Sequence, residues 1–585
     1  MSISMNEIAP DYGQAPSYLG EIPRYVSYTS PVSTAHTRNE RHGPSELPLN
    51  LVALIVSYLD DIADIARVTR TSRLLYYMTL PQLYQRVSLH SHRDIRYVNG
   101  RPEGFGSGSP LMMALNGLVT KPHASLVQEF RIWGQWKEIG LEDFAKGRVP
   151  DNSMMLNILL RAVVDKMSKL RAFSWELDSK PLKTLYQGLA AQNLLTSLTM
   201  KFPNARVPRP SVLIPPMHNL RALKVTDIDP LCYPDDISLL ICGSKKLEDL
   251  RLHFSPRMRR EVEPSVNLGA YFGRCAKANY KPKLKHCAMQ NFFGLNMDAA
   301  DYVFDPDTCK SVVFFDTFGG AGSSNPNSSA VFIDEAWKNC SPDMYHDFRQ
   351  ARSNEVSMHH VEMIRRARGL ERLYIVSGQG SGTPQSTPTL SPTSTVPSEG
   401  TIGARPPIDE DMMRLGKEYL HVLTRYHGQS LRHILFHRDW AWGPEDFGTL
   451  VRYCPNLEQL GLAINTPNHA MLKLLLPFLP KLKAFRLLHN EHLAEAMRMM
   501  SHDDRMNEIS ANLPKFTSVS EQPRFIGFGD VVYKTGRDYM ATMEDGSQEL
   551  RRDLTIVSKE EVQDVEIWKM DTLDIDVDPV ATFTP

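Results

Sequence analysis

The hydrophobic positions of this chain follow three different rules along its length. Between Leu47 and Leu59 they form a nearly solid block, "LPLNLVALIVSYL", apolar without interruption from Leu51 to Val56. Farther on they recur as a short motif, L-x-x-L-x-L. Near the C-terminus they alternate with acids, with Leu573, Ile575 and Val577 standing among Asp574, Asp576 and Asp578. Each rule predicts a different element.

The solid block predicts a helix. Pro48 suits a helix start, where its missing N–H is not needed. Leu51, Ile55 and Leu59 fall at i, i+4 and i+8 on one face, and Leu54 and Tyr58 widen it. After the break at Asp60-Asp61, Ile62, Ile65 and Val68 share one side of a second helix. A third helical pattern closes the module in "LPQLYQRVSL", with Leu80, Leu83, Tyr84, Val87 and Leu89. Residues 45–90 therefore read as one helical module. A module this small cannot hide so many aliphatic side chains alone. Its surplus apolar face either packs on the rest of the chain, as an N-terminal cap, or meets another protein.

The recurring motif predicts strands that stack. Good copies stand at Leu170/Phe173/Trp175, Leu195/Leu198/Met200, Leu220/Leu223/Val225, Leu247/Leu250/Leu252, Leu370/Leu373/Ile375, Leu431/Ile434/Phe436, Leu457/Leu460/Leu462 and Leu482/Phe485/Leu487. Weaker copies are Val127/Phe130/Ile132, Leu284/Cys287/Met289 and Cys309/Val312/Phe314. The first positions step by 25, 25 and 27 residues from Leu170 to Leu247, and by 26 and 25 from Leu431 to Leu482. That is the period of a leucine-rich repeat, about 20–29 residues. One unit cannot bury its own leucines, whereas stacked units share a continuous core. The expected fold class is α/β: a small N-terminal helical module, then an irregular solenoid with a strand plus a helix or loop per repeat. The solenoid spans 91–514, with insertions near 317–366 and 377–407. The second insertion, with few aliphatic residues among Pro, Ser, Thr and Gly, and the tail at 1–44, rich in Pro, Ser, Tyr and Gly, are expected to be disordered. "NGRPEGFGSGSP" at 99–110 is a Gly/Pro break.

Residues 515–585 read as a strand-rich acidic cap. From 541 to 585 there are twelve acidic and four basic side chains. The Leu573–Asp578 alternation predicts a half-buried strand with a solvated acidic edge.

On the strands, the x residues beside the last L point out of the core. Lys201, Lys224, Arg251 and His253 then form a basic stripe. It is either an ordinary solvated face or a place for an acidic or phosphorylated segment of a protein substrate. Trp440 and Trp442, just after a predicted strand, are either core or partner anchors.

Composition narrows the field. The chain is 42% apolar and 23% charged with a formal net charge of −1, so no global field attracts nucleic acid or an acidic membrane. No secretion signal and no membrane-crossing apolar run is read. The seven cysteines include no CxxC pair, which favours a reducing compartment, cytosol or nucleus. Elbow, P-loop and metalloprotease motifs are absent from the sequence. His359-His360 lacks a third ligand. The Asp574-x-Asp576-x-Asp578 run has Pro579 where a calcium loop needs Gly. Neither a metal nor a cofactor is expected, and the chain reads as non-catalytic.

The helical module resembles the F-box motif. Leu47-Pro48, Leu51, Ile55, Tyr58-Leu59, Ile62 and Val68 occupy matching positions, and "LPQLY" at 80–84 matches the close. Asn50 stands where the family carries an acid, and Ser72 where a Trp is common. The pairing with leucine-rich repeats is like that of fungal F-box proteins. The resemblance implies a substrate receptor of an SCF-type cullin–RING ubiquitin ligase. The module would dock on a Skp-type adaptor through Leu47, Pro48, Leu51, Ile55, Leu59, Ile62, Ile65 and Val68. The repeats would hold a protein substrate, with Lys201, Lys224, Arg251, His253, Trp440 and Trp442 as candidates. The alternative is a repeat scaffold without ligase coupling.

Overall fold

A computed structural model of the protein describes residues 47–92, 96–98, 101–103, 109–136, 142–146, 148–203, 212–229, 237–255, 269–291, 305, 307–316, 330–331, 347–377, 410–465, 470–488, 501–512, 524–529, 531–542, 546–558, 560–562 and 565–578. The tail at 1–44 and the insertion at 378–407 lie outside these residues. The chain divides into two compact units, Met1–Leu195 and Thr196–Pro585. The division falls well past the expected end of the helical module at residue 90.

The first unit opens with three short helices, α1 (Leu49–Ser57), α2 (Ile62–Val68) and α3 (Arg73–Leu83). Polar residues punctuate them. Asp61 caps α2 by accepting from the Ala63 N–H at 2.8 Å, and Ser72 caps α3 by accepting from the Leu75 N–H at 3.1 Å. Ser72 thus serves as a helix cap, a role that a hydroxyl fills. Gln82 donates to the Leu59 carbonyl at 2.7 Å and ties α3 to the end of α1. The module's own buried residues are Val56, Ile65, Thr79 and Leu80.

Val87 and Leu89 belong to a strand, not to the third helix: α3 ends at Leu83 and the strand Arg86–Ser91 follows. It pairs in parallel with Glu129–Gly134, which pairs in parallel with Ala172–Leu177. The register aligns Val87, Phe130 and Phe173, and then Leu89, Ile132 and Trp175. All six are buried. Helices Pro110–Thr120 and Asp151–Lys166 fill the connections between these strands, and Lys183–Ala190 follows the last. Within the Gly/Pro break, Arg101–Glu103 pairs antiparallel with Arg96–Val98.

The second unit is mixed α/β, built on a large, mostly parallel sheet that does not close into a barrel. Its strands run Ser197–Lys201, Ala222–Ile228, Asp249–Phe254, His286–Gln290, Ser311–Phe315, Gln350–Ser353, Arg372–Ile375, His433–Leu435, Gln459–Ile464, Ala484–Leu487 and Phe525–Phe528. Each is parallel to the next, in register. One row of aligned positions is Leu198, Leu223, Leu250, Cys287, Val312, Ala351, Leu373, Ile434, Leu460, Phe485 and Ile526. Every member is buried. Strand side chains alternate faces, so this row and the one two residues on share a single apolar layer. At the far end Val531–Thr542 and Gln548–Ile556 add an antiparallel pair.

Two expectations need correcting. The insertion at 317–366 conceals a ladder strand, Gln350–Ser353, ahead of the helix Met358–Arg365, which falls within the helical stretch that the sequence pattern shows near 343–368. Phe348, Ala351 and Ser353 hold the motif positions there, and their small or polar members hide the repeat. The Leu573–Asp578 alternation is not a strand. After a single helical turn, Glu566–Lys569, the chain runs irregularly across the face of the sheet to Asp578.

Candidate functional site

Two surfaces carry the residues singled out by sequence, and each belongs to one unit. On the first, α1 buries only Val56 and leaves Leu49, Leu51, Leu54, Ile55 and Tyr58 exposed. Ile55 is 55% exposed and Tyr58 75%. Leu47 and Pro48 are exposed just before the helix. Leu74, Tyr76 and Tyr77 add an exposed apolar strip on α3, where Tyr76 and Tyr77 meet edge to face at 5.4 Å. Leu59, Ile62 and Val68 are half-buried, and Ile65 is buried. Ile65 therefore holds the module together and offers a partner little surface. The inward stripe of α1 is the one through Val52, Val56 and Leu59, not the one through Leu51 and Ile55. On a helix apolar all round, spacing alone does not tell which stripe turns inward.

The second surface is the outward face of the parallel ladder. Its aligned outward row reads Thr199, Lys224, Arg251, Ala288, Val313, Arg352, Tyr374, Leu435, Gly461, Arg486 and Gly527. The predicted basic stripe is there, but the chain's own C-terminal segment lies on it. Lys224 pairs with Asp576. Arg251 is buried, holds Asp249 through two hydrogen bonds of 3.0 and 2.9 Å, and donates to the Ile575 carbonyl at 2.7 Å. Lys201 and His253 are half-buried on either side of Asp227, at 3.9 and 4.0 Å. Burial pulls the His253 pKa down, helped by the Lys224 charge and opposed by Asp227. Its Nε2 also meets the Asn291 side chain at 3.2 Å.

Sequence reasoning missed the most tightly held members of this face. Arg352, fully buried, pairs with Asp578 at 2.8 Å. Gln350 donates to the same carboxylate at 2.9 Å. Glu566 sits among Tyr374, Arg372 and His433, the last two at 3.1 and 2.7 Å. Burial pushes the Glu566 carboxyl up. Hydrogen bonds from His433 and Tyr374, and the positive charges beside it, outweigh burial and hold it down at about 2. For Asp578 burial prevails over Arg352 and Arg251 and keeps the pKa above the usual aspartate range. The one signal that pointed here was the net acidity of the C-terminus, which foretells charge but not its destination.

Trp440 and Trp442 are 0% and 2% exposed and are core, not anchors. Trp440 packs on Tyr419 at 4.8 Å between ring centres and on Trp442 at 6.0 Å, with Phe436 beside both. Gly416 lets the helix Glu410–Val422 approach, since a Cβ there would stand 2.9 Å from the Trp440 ring. His360 is buried against the Tyr419 hydroxyl at 2.8 Å, and burial brings its pKa down to about 3. Among the described residues no group of three or more His, Cys, Asp or Glu is placed to hold a metal ion. No helix among them is long and apolar enough to cross a membrane.

What these surfaces offer is contact. One is the exposed aliphatic and aromatic surface of α1 and α3. The other is a basic and apolar strand face loaded with an acidic peptide segment. A comparison with protein-family models and with curated proteins finds no match for this chain.

Proposed function

We propose that the protein is a non-catalytic substrate receptor of an SCF-type cullin–RING ubiquitin ligase. In this reading α1–α3 form an F-box that docks on a Skp-type adaptor. The parallel ladder is an irregular leucine-rich-repeat solenoid that holds a protein substrate. The observation that carries the reading is the apolar surface left open on α1 and α3. A folded module does not keep Leu51, Leu54, Ile55, Tyr58 and Tyr77 exposed together without a use. Helices that present such a patch associate by packing on a partner's helices. The sequence likeness at Leu47-Pro48, Tyr58-Leu59 and "LPQLY" names the partner class. The ladder supports the second half of the reading, because repeated strands at a near-constant step present a long face suited to an extended polypeptide.

The test is co-expression with a Skp-type adaptor followed by capture. The wild type retains the adaptor. Leu47→Ala with Pro48→Ala, both exposed, lowers capture while leaving thermal unfolding within about 0.5 kcal/mol of the wild type, as is usual for surface changes. A wild-type chain that captures no adaptor would leave the repeat-scaffold alternative standing.

A further inference from the structure

We propose that residues 565–578 are an exchangeable internal ligand, a strap that closes the outward face of the ladder and mimics an acidic protein segment recognised there. The inference rests on the reading of that face as the substrate surface, and it adds the substrate's chemistry and a means of control.

The contacts are those of a docked peptide. Among the described residues no backbone-to-backbone hydrogen bond joins 565–578 to a ladder strand. The strap is gripped by side chains instead. Arg251 donates to the carbonyls of Ile575 and Asp578, at 2.7 and 3.2 Å. Arg352 donates to the carbonyls of Met570 and Asp574. Arg486 donates to the Ile567 carbonyl at 3.1 Å and pairs with Asp571 at 2.8 Å. Gln459 accepts from the Ile567 N–H at 3.1 Å. Main-chain recognition by planar donors, with acids paired to bases, reads a class of extended acidic segments.

The strap's apolar residues read the same face. Ile575 packs with Ala288, Val313, Phe315 and Val376. Ile567 and Met570 pack with Tyr374, Leu435 and Ala463. The alternation of apolar and acidic residues at 573–578 thus serves two sets of sites at once. Ile575 is buried among outward side chains, Asp576 pairs with Lys224 and Asp578 with Arg352, while Asp574 accepts from the Asp576 N–H. Without the strap the face presents Lys224, Arg251, Arg352, Arg372 and Arg486 to water, which solvates them. It would then be an open basic row with apolar floor. A substrate that takes the strap's place must carry acids spaced by aliphatic residues.

The experiment cuts the strap free in the full chain. A specific protease site is inserted directly after Ser558, which is exposed. The probe is a fluorescent synthetic peptide of residues 565–578, VEIWKMDTLDIDVD, followed by anisotropy. The uncut chain does not bind the peptide, because its face is filled. The cut chain, washed in high salt, loses its own strap and binds the peptide. Lys224→Glu in the cut chain weakens that binding at least about tenfold, and a peptide with Asp571, Asp574, Asp576 and Asp578 changed to Asn binds weakly. Three results overturn the proposal. The uncut chain binds as tightly as the cut one. The Asn peptide binds as tightly as the acidic one. Or the strap leaves only as the near-ultraviolet circular dichroism of the remainder collapses, which makes it core rather than ligand. Adaptor capture is scored on the same samples, so failure of the strap and failure of the receptor reading are seen separately.

Discussion

Individual residues make the sharpest statements about this protein. Glu566 is held near pH 2 by His433, Tyr374 and Arg372 against a reference of 4.5, so its charged form favours the folded state. A carboxyl with a depressed pKa contributes stability that is complete above its unfolded value and is lost as pH falls toward its folded value. The difference in melting temperature between the wild type and Glu566→Gln should therefore be full at neutral pH and narrow as pH falls below about 4.5. Asp578, held above the usual range, works in the opposite sense and is present in both proteins, so it cancels in the comparison. A gap that widens in acid would show that Glu566 is not the stabilised carboxylate described. Trp440 gives a second case. It was legible as an aromatic next to a strand, but not as core or surface, because Trp serves both. Buried against Tyr419, Phe436 and Trp442, it should cost about 3–5 kcal/mol when changed to Ala, measured by urea unfolding. Gly416→Ala, which drives a Cβ to 2.9 Å from the same ring, should cost about 1–3 kcal/mol in the same assay.

At the scale of elements, legibility followed side-chain size. Strands with two large inward residues, such as Leu223/Val225 and Leu460/Leu462, stand out in sequence. The strand Gln350–Ser353 does not, since Ala351 and Ser353 occupy the same register with little hydrophobic weight. Its neighbours hold it in place by supplying the layer it lacks. The Leu573–Asp578 alternation shows the converse. Its two faces are real, but a segment clasped by arginines on a sheet face alternates just as an edge strand does. In α1 the pattern was visible and its orientation was not. The inner side is marked by Val56, the buried residue of α1, as Ile65 marks it in α2 and Leu80 in α3. Val56→Asp should therefore unfold the module, while Ile55→Asp, one residue away and exposed, should leave its hydrogen-exchange protection unchanged. Equal loss of protection in both variants would reverse the assignment of the inner stripe.

The whole molecule combines a ladder with a repeating period and two features that break the repeat, a helical module at one end of the sequence and a strap at the other. The period was readable because each unit must bury the same pair of positions. The helices of the module were readable through a block of apolar positions and the polar breaks between them. The strap was not, because contacts between residues more than 200 positions apart, such as Arg352 with Asp578, leave no local trace. Docking of the helical module on an adaptor is decided by hydrogen exchange of the full chain with and without a purified Skp-type adaptor. New protection is expected on α1 and α3, around Leu51–Tyr58 and Leu74–Tyr77, with the ladder strands unchanged. Exchange on those helices that the adaptor does not alter would contradict it.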